Sequence, residues 1–293
     1  MGITRLLVLI ALLTVSCGYQ PTENIPEPPL DIGPYDYNQP DIPAWEPDQY
    51  VVDCGTNGMC FVPAGPFWMG CNSDFDYNCE DDESPYHEVT LSAYYIDRTE
   101  VTELEYSKCV NAGECHIPGT SDNRGNWNDI GRVNNPVNCV NRIMAGKYCS
   151  WVGKRLPTEA EWEKAARGTD GRKYPWGNTY PNLDLAAFHP GTGDWESTGT
   201  SDVCTKSPAG DSPYGLCDMA GNVREWVADW YLEDYYSISP LTDPSGPSTG
   251  DTAIVRGGDG GSSSLFVRVS SRGRRGLEVV NAENGFRCVL SAQ

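Results

Sequence analysis

Between Phe61 and Ile96 the chain follows a strand rhythm. Phe61-Val62-Pro63-Ala64-Gly65-Pro66-Phe67-Trp68-Met69-Gly70 reads as a strand pair with an intervening turn, and His87 to Ile96 alternates as a half-buried strand. The rhythm then becomes helical. Thr102 caps a short helix, Glu105 three residues on completes a capping box, and Cys109 falls near its end. Asn141 caps a second helix running to about Trp151, with Ile143, Ala145, Tyr148 and Cys149 available for burial. Lys154-Arg155-Leu156-Pro157 breaks that helix and Thr158 restarts one at once. Glu161 stands at its third position, Lys164 and Arg167 lie in its last turn where the dipole favours positive charge, and Gly168 supplies the stop.

Beyond Trp176-Gly177-Asn178 the periodicity weakens into a long stretch punctuated by Gly and Pro. A domain so poor in regular elements needs disulfides, bound ions or aromatic packing to hold its loops. Nine Trp and sixteen Tyr supply material for the last.

The first residues form a segment of another kind. Arg5 precedes the apolar run Leu6 to Leu13, which ends in Thr14-Val15-Ser16-Cys17. The run is too short to span a bilayer and has the shape of a secretory signal over residues 1–17. Cys17 after the small Ser16 resembles a bacterial lipobox, although Thr14 stands where that pattern has Leu. Cys17 is therefore the expected lipidated N-terminus, with an ordinary signal peptide and secretion as the alternative. Residues 18–50, rich in Pro, Asp, Glu, Asn and Gln, read as a flexible tether. Residues 51–293 suit one large domain or two closely fused halves.

A net charge of −20 argues against a nucleic-acid groove. Part of that charge is local: Asp74, Asp76, Glu80, Asp81, Asp82 and Glu83 read as a solvated acidic loop or, alternatively, as oxygen ligands for calcium, without EF-hand spacing. Twelve cysteines in an exported chain read mainly as disulfides. Setting Cys17 aside leaves an odd number, and the close spacings suggest Cys54 with Cys60, Cys71 with Cys79 and Cys109 with Cys115. With no CxxC and only His87, His116 and His189, zinc has little to draw on.

An ordered set of blocks carries a resemblance. Phe67-Trp68-Met69-Gly70, Glu100-Val101-Thr102, Gly153-Lys154-Arg155-Leu156-Pro157-Thr158-Glu159-Ala160-Glu161-Trp162-Glu163, Tyr174-Pro175-Trp176-Gly177-Asn178, Asp218-Met219-Ala220-Gly221-Asn222-Val223-Arg224-Glu225-Trp226, Arg256-Gly257-Gly258 and Gly285-Phe286-Arg287-Cys288 follow one another over residues 61–290. Together they resemble the formylglycine-generating enzymes, or sulfatase-modifying factors. The resemblance implies an irregular α+β fold related to C-type lectins, with small sheets, short helices and disulfide stabilisation.

The resemblance also implies a Cys149–Cys288 disulfide, leaving Cys139, Cys204 and Cys217 without assigned partners. It implies structural calcium at Asp218, the backbone of Gly221 and Val223, and Glu225. A second site would begin near Asn182 and Leu183, with its acidic partner among Asp194, Glu196 and their neighbours.

Catalysis does not carry over. Family enzymes oxidise a protein cysteine with oxygen and a copper ion held by two cysteines just beyond Arg-Gly-Gly. Here Ser262, Ser263, Ser264, Leu265, Phe266 and Val267 occupy that region, and hydroxyls do not replace the soft thiolates that hold cuprous copper. Ser262 has neither a nearby histidine nor an elbow motif to make it a nucleophile. Gly260 to Ser264 reads as a flexible surface loop at the old cleft. Ser262, Ser263, Arg268 and Arg272, with Arg274 and Arg275, are its candidate ligand contacts, or else the arginines merely offset acidic charge.

The leading expectation is a non-catalytic or diverged lipid-anchored binding or accessory protein of the bacterial envelope, taking a peptide, protein or glycan partner. Its rival is a formylglycine-generating oxidase or related oxidoreductase acting on protein cysteine. A purely structural envelope protein is a third reading.

Overall fold

The computed structural model describes residues 54–55, 57–119, 124–191 and 199–292, within the unit Asp48–Gln293. The signal segment with Cys17, the tether over 18–50, and Asp194 and Glu196 lie outside the described residues.

Strands β1 (Met59–Val62) and β2 (Gly65–Met69) follow each other across Pro63-Ala64, but they do not form the expected pair. Instead β1 pairs antiparallel with β4 (Tyr94–Asp97) and β2 with β3 (His87–Leu91). The single strand expected from His87 to Ile96 thus divides at Ser92-Ala93. Ser92 gives both its N–H and its hydroxyl to Asp243, each at 2.7 Å, so the ladder cannot continue through it.

Helices α1 (Glu103–Asn111) and α3 (Glu159–Arg167) both open with capping boxes. In α3 the Thr158 N–H donates to Glu161 Oε2 at 2.8 Å while Glu161 N–H donates to Thr158 Oγ1 at 3.2 Å. Helix α2 (Arg142–Trp151) is capped by Asn141, and its buried face is Ala145, Tyr148 and Cys149. These lie three and four residues apart, on one face; Ile143, two residues before Ala145, falls off the stripe and is 55 % exposed, contrary to expectation.

Every residue of α3 is buried. Its last-turn cations complement more than the dipole: Lys164 donates to Pro63 O and Gly65 O, both at 2.8 Å, and Arg167 donates to Trp68 O and Gly70 O. They tie β2 and its entry turn to the helix end. Burial lowers the Lys164 ammonium to about 8.

The weakly periodic C-terminal half contains a four-stranded sheet that the pattern did not disclose. Its order is β7 (Gly273–Gly276), β6 (Thr252–Arg256), β5 (Arg224–Trp230) and β8 (Asn284–Gly285). Strand β5 buries Glu225, Trp226 and Val227 consecutively, so it shows no alternation to detect. The last strand, β9 (Val289–Ser291), returns to β4 and completes a three-stranded sheet with β1. The fold is therefore irregular α+β, with small sheets and short helices.

Five disulfides among the described residues join Cys54 to Cys60, Cys71 to Cys79, Cys109 to Cys115, Cys149 to Cys288 and Cys204 to Cys217. Cys139 is a buried thiol outside these pairs, next to Ala282.

Asp229, on β5, accepts the Glu159 N–H at 2.8 Å and so helps cap α3. Burial, with the neighbouring Glu159 charge adding to it, pushes its carboxyl up to about 8. A raised carboxyl means the native state holds a proton that the unfolded chain releases, so stability is full below the ordinary carboxylate range and falls as pH rises toward 8. Asp229→Asn keeps an acceptor for Glu159 and removes that loss. Its stability relative to wild type is expected to rise by up to about 1.4 kcal/mol per pH unit across this window. Urea unfolding at about pH 6 and about pH 7 reads the difference; parallel curves would refute it.

Candidate functional site

The C-terminal blocks meet around α3. Strand β6 ends in Arg256, whose fully buried guanidinium reaches Glu163 Oε2 at 2.5 Å and Glu159 Oε1 at 3.3 Å. The chain then turns at Gly257 and Gly258, both at positive φ. A Cβ at Gly258 would stand 2.7 Å from Phe266 O, so the turn has no room for a side chain.

The turn delivers Asp259 and Ser262 to Arg224 at the start of β5. Arg224 Nε donates to Asp259 Oδ2 at 2.6 Å and its Nη2 to Ser262 Oγ at 2.9 Å. Ser262 Oγ in turn donates to Asp259 Oδ2 at 2.9 Å and accepts the Asp259 N–H at 3.0 Å. Ser262 is 4 % exposed, which corrects the expectation of a flexible surface loop. Its hydroxyl is consumed in holding the turn.

Ser263 and Ser264 are half-buried, and Ser264 accepts from Tyr180 Oη at 2.8 Å. Leu265 and Phe266 are exposed, and the Arg224 guanidinium lies 5.7 Å from the Phe266 ring. Arg224 and Asp259 escaped the sequence reading because nothing in their spacing shows that β5 and the post-glycine turn become neighbours.

The proposed cleft arginines serve elsewhere. Arg268 is 1 % exposed and grips Glu83 with two bonds of 2.7 Å, while reaching Asp76 at 2.9 Å. Asp76 and Glu83 are thus not part of a solvated loop; they leave the acidic run to enter this buried pair. Arg272 donates to Glu159 Oε1 at 2.8 Å and to Asp82 O at 2.6 Å, with its guanidinium 4.4 Å from the Tyr236 ring. It does, however, border a pocket of about 290 Å³ that Glu80, Asp81, Asp82, Tyr231, Glu233 and Arg274 also line. Ser262, Ser263 and Arg268 do not line it. Glu80 is held above the usual carboxylate range by burial and by the charges of Glu83 and Asp82.

The expected calcium ligands form a different arrangement. Arg287 Nε and Nη2 each donate to Glu225 at 2.7 Å, and Trp162 Nε1 donates to the same carboxylate at 2.9 Å. Asp218 Oδ2 accepts the Cys204 N–H. Both Glu225 oxygens are therefore committed to a guanidinium. Among the described residues the only converging His, Cys, Asp or Glu ligand atoms are those of Cys71, Cys79 and Glu83, and two of these are joined as a disulfide. The calcium expectation is overturned on these grounds. Burial, with Asp218's charge second, holds the Glu100 carboxyl beside this group well above its usual range.

Residues 48–292 match the sulfatase-modifying factor enzyme 1-like domain. The chain belongs to this family. The formylglycine-generating enzyme of Streptomyces coelicolor is 31 % identical over 299 residues, covering 85 % of this chain and 94 % of the relative. That of Thermomonospora curvata is 34 % identical, covering 85 % and 96 %. The structure of PvdO from Pseudomonas aeruginosa superposes with a TM-score of 0.67 at 26 % identity, over 79 % of this chain and 93 % of that one.

Within the sulfatase-modifying factor family this domain is divergent. No cysteine lies between Gly258 and Cys288, and Cys288 is bonded to Cys149. Cys204 and Cys217 offer no replacement pair, being bonded to each other. The residues at the site do not fit cuprous copper, because Asp259 and Ser262 present hard oxygen, already bound to Arg224, in place of thiolates. The sulfatase-modifying factor domain here lacks the means for formylglycine generation.

Proposed function

We propose that this protein is a non-catalytic accessory or binding domain of the bacterial envelope, anchored through a lipid on Cys17 and carried on the tether over residues 18–50. The observation that carries the reading is the Arg224–Asp259–Ser262 lock at the position where the family places its thiolates. Five disulfides support residence in an oxidising compartment outside the cytosol. Exposed Leu265 and Phe266 beside the locked turn offer an apolar contact for a peptide, protein or glycan.

The purified protein, given copper(I), oxygen and a sulfatase-type cysteine peptide, is expected to leave the peptide mass unchanged. The loss in mass that accompanies formylglycine formation would overturn the reading in favour of the oxidase.

A further inference from the structure

The five disulfides are unevenly protected. Of their ten cysteines only Cys79 is exposed, whereas its partner Cys71 is 4 % exposed. The bond therefore has an outer and an inner sulfur. Arg268 Nη1 donates toward the inner one, at 3.9 Å from Cys71 Sγ. The other groups around that guanidinium balance: Glu83 and Asp76 are paired with it, and Lys173 Nζ stands 2.8 Å from Asp76 Oδ1. Two cations face two carboxylates, and Arg268 Nη1 shares its N–H groups among Glu83 Oε2, Asp76 Oδ2, Ser270 Oγ and, at longest range, Cys71 Sγ.

Exchange rates depend on which sulfur an incoming thiolate can reach and on how well the departing sulfur bears negative charge. Access decides the polarity here, since Cys79 is exposed and Cys71 buried, while Arg268 lies beside the departing sulfur and the Glu83 carboxylate within 4.8 Å of both. We propose that Cys71–Cys79 is a thiol–disulfide exchange site for an incoming dithiol reductant. One thiolate of the dithiol attacks Cys79 Sγ, the S–S bond breaks, and its electron pair leaves on Cys71 Sγ as a thiolate against Arg268. The second thiol of the reductant, deprotonated, then attacks its own sulfur in the mixed disulfide and releases Cys79 as a thiolate that takes up a proton. The reductant departs as a disulfide, and two electrons have passed to the protein.

The flanking chain adds a charge preference. Asp74 and Asp81 are exposed on either side of Cys79 and favour neutral or cationic thiols over anionic ones. Cys109–Cys115 provides the internal comparison: it closes a loop of similar length, with a separation of 6 against 8, yet both of its cysteines are buried.

The test uses the intact protein with limiting dithiothreitol, acid quenching, alkylation of new thiols and peptide mapping. Cys71 and Cys79 are expected to acquire label first, roughly tenfold ahead of Cys109 and Cys115. With cysteamine, a cationic monothiol, the trapped adduct is expected on Cys79. Earlier opening of any other disulfide, equal rates for all five, or an adduct on Cys71 would overturn the proposal.

Discussion

Arg287→Met is expected to destabilise the domain by about 3–5 kcal/mol, the cost of stranding a buried charge whose partner has been removed. Arg287 is fully buried and gives two bonds to Glu225, with further bonds to the carbonyls of Asp97, Arg98 and Cys217. Without it Glu225 would share an interior with Glu100 and Asp218, whose carboxyls are already raised, chiefly by burial. A loss of this size is a large fraction of a domain's total stability.

The effect has a pH signature. In the variant the Glu100 and Asp218 carboxyls, raised chiefly by burial, lose the Arg287 charge that opposes the rise, so the native protein holds protons that the unfolded chain gives up. Stability relative to wild type is then best below the ordinary carboxylate range and worsens as pH rises above it. Adding Glu225→Gln, which can still accept from Trp162, is expected to recover part of the loss. Urea unfolding at about pH 5 and about pH 7 measures all three; a small, pH-independent loss would show that the pair does not hold the interior together.

Replacing Cys149 and Cys288 together by Ala is expected to cost about 5 kcal/mol on the loop-closure account, since the bond spans a sequence separation of 139. The same account assigns only about 2 kcal/mol to Cys109–Cys115, with a separation of 6. Both pairs are buried, so the comparison isolates loop length better than exposure would allow. Thermal and urea unfolding of the two double variants decides it. Equal losses would place the stabilisation in native contacts instead, such as the Tyr148 and Phe286 rings packed 5.5 Å apart beside the longer bridge.

The helices were legible because their signals are local. Thr102 with Glu105, and Thr158 with Glu161, satisfy exposed amides within one turn, and no distant residue is required. The family blocks were legible as a series for a related reason: each is a short run of fixed residue types. What they do was not. Arg256 stands in a different block from Glu159 and Glu163, and only the packing of β6 against α3 shows them to be one buried ion group.

The same limit explains the misplaced arginines. Arg268 and Arg272 look like surface cations in an acidic chain, but Glu83 and Glu159 draw them inside from far along the sequence. Pairing within the first sheets also escaped detection, since alternation marks a strand without naming its neighbour. Cys204 and Cys217 lacked assigned partners because their bond belongs to the loop fold rather than to any spacing rule. The calcium reading failed because Glu225 is held by Arg287, a residue 62 positions away that no local motif links to it.

The position of that arginine bears on how the protein can be made. Arg287 neutralises Glu225, Cys288 closes the bridge to Cys149, and β9 supplies the third strand beside β4, all between positions 287 and 291. A chain emerging N-terminus first therefore cannot close its interior until positions 287 to 291 have emerged. Until then vectorial folding stalls at an open intermediate with exposed apolar surface. Premature termination just before Arg287 removes the bolt, the rivet and the edge strand together.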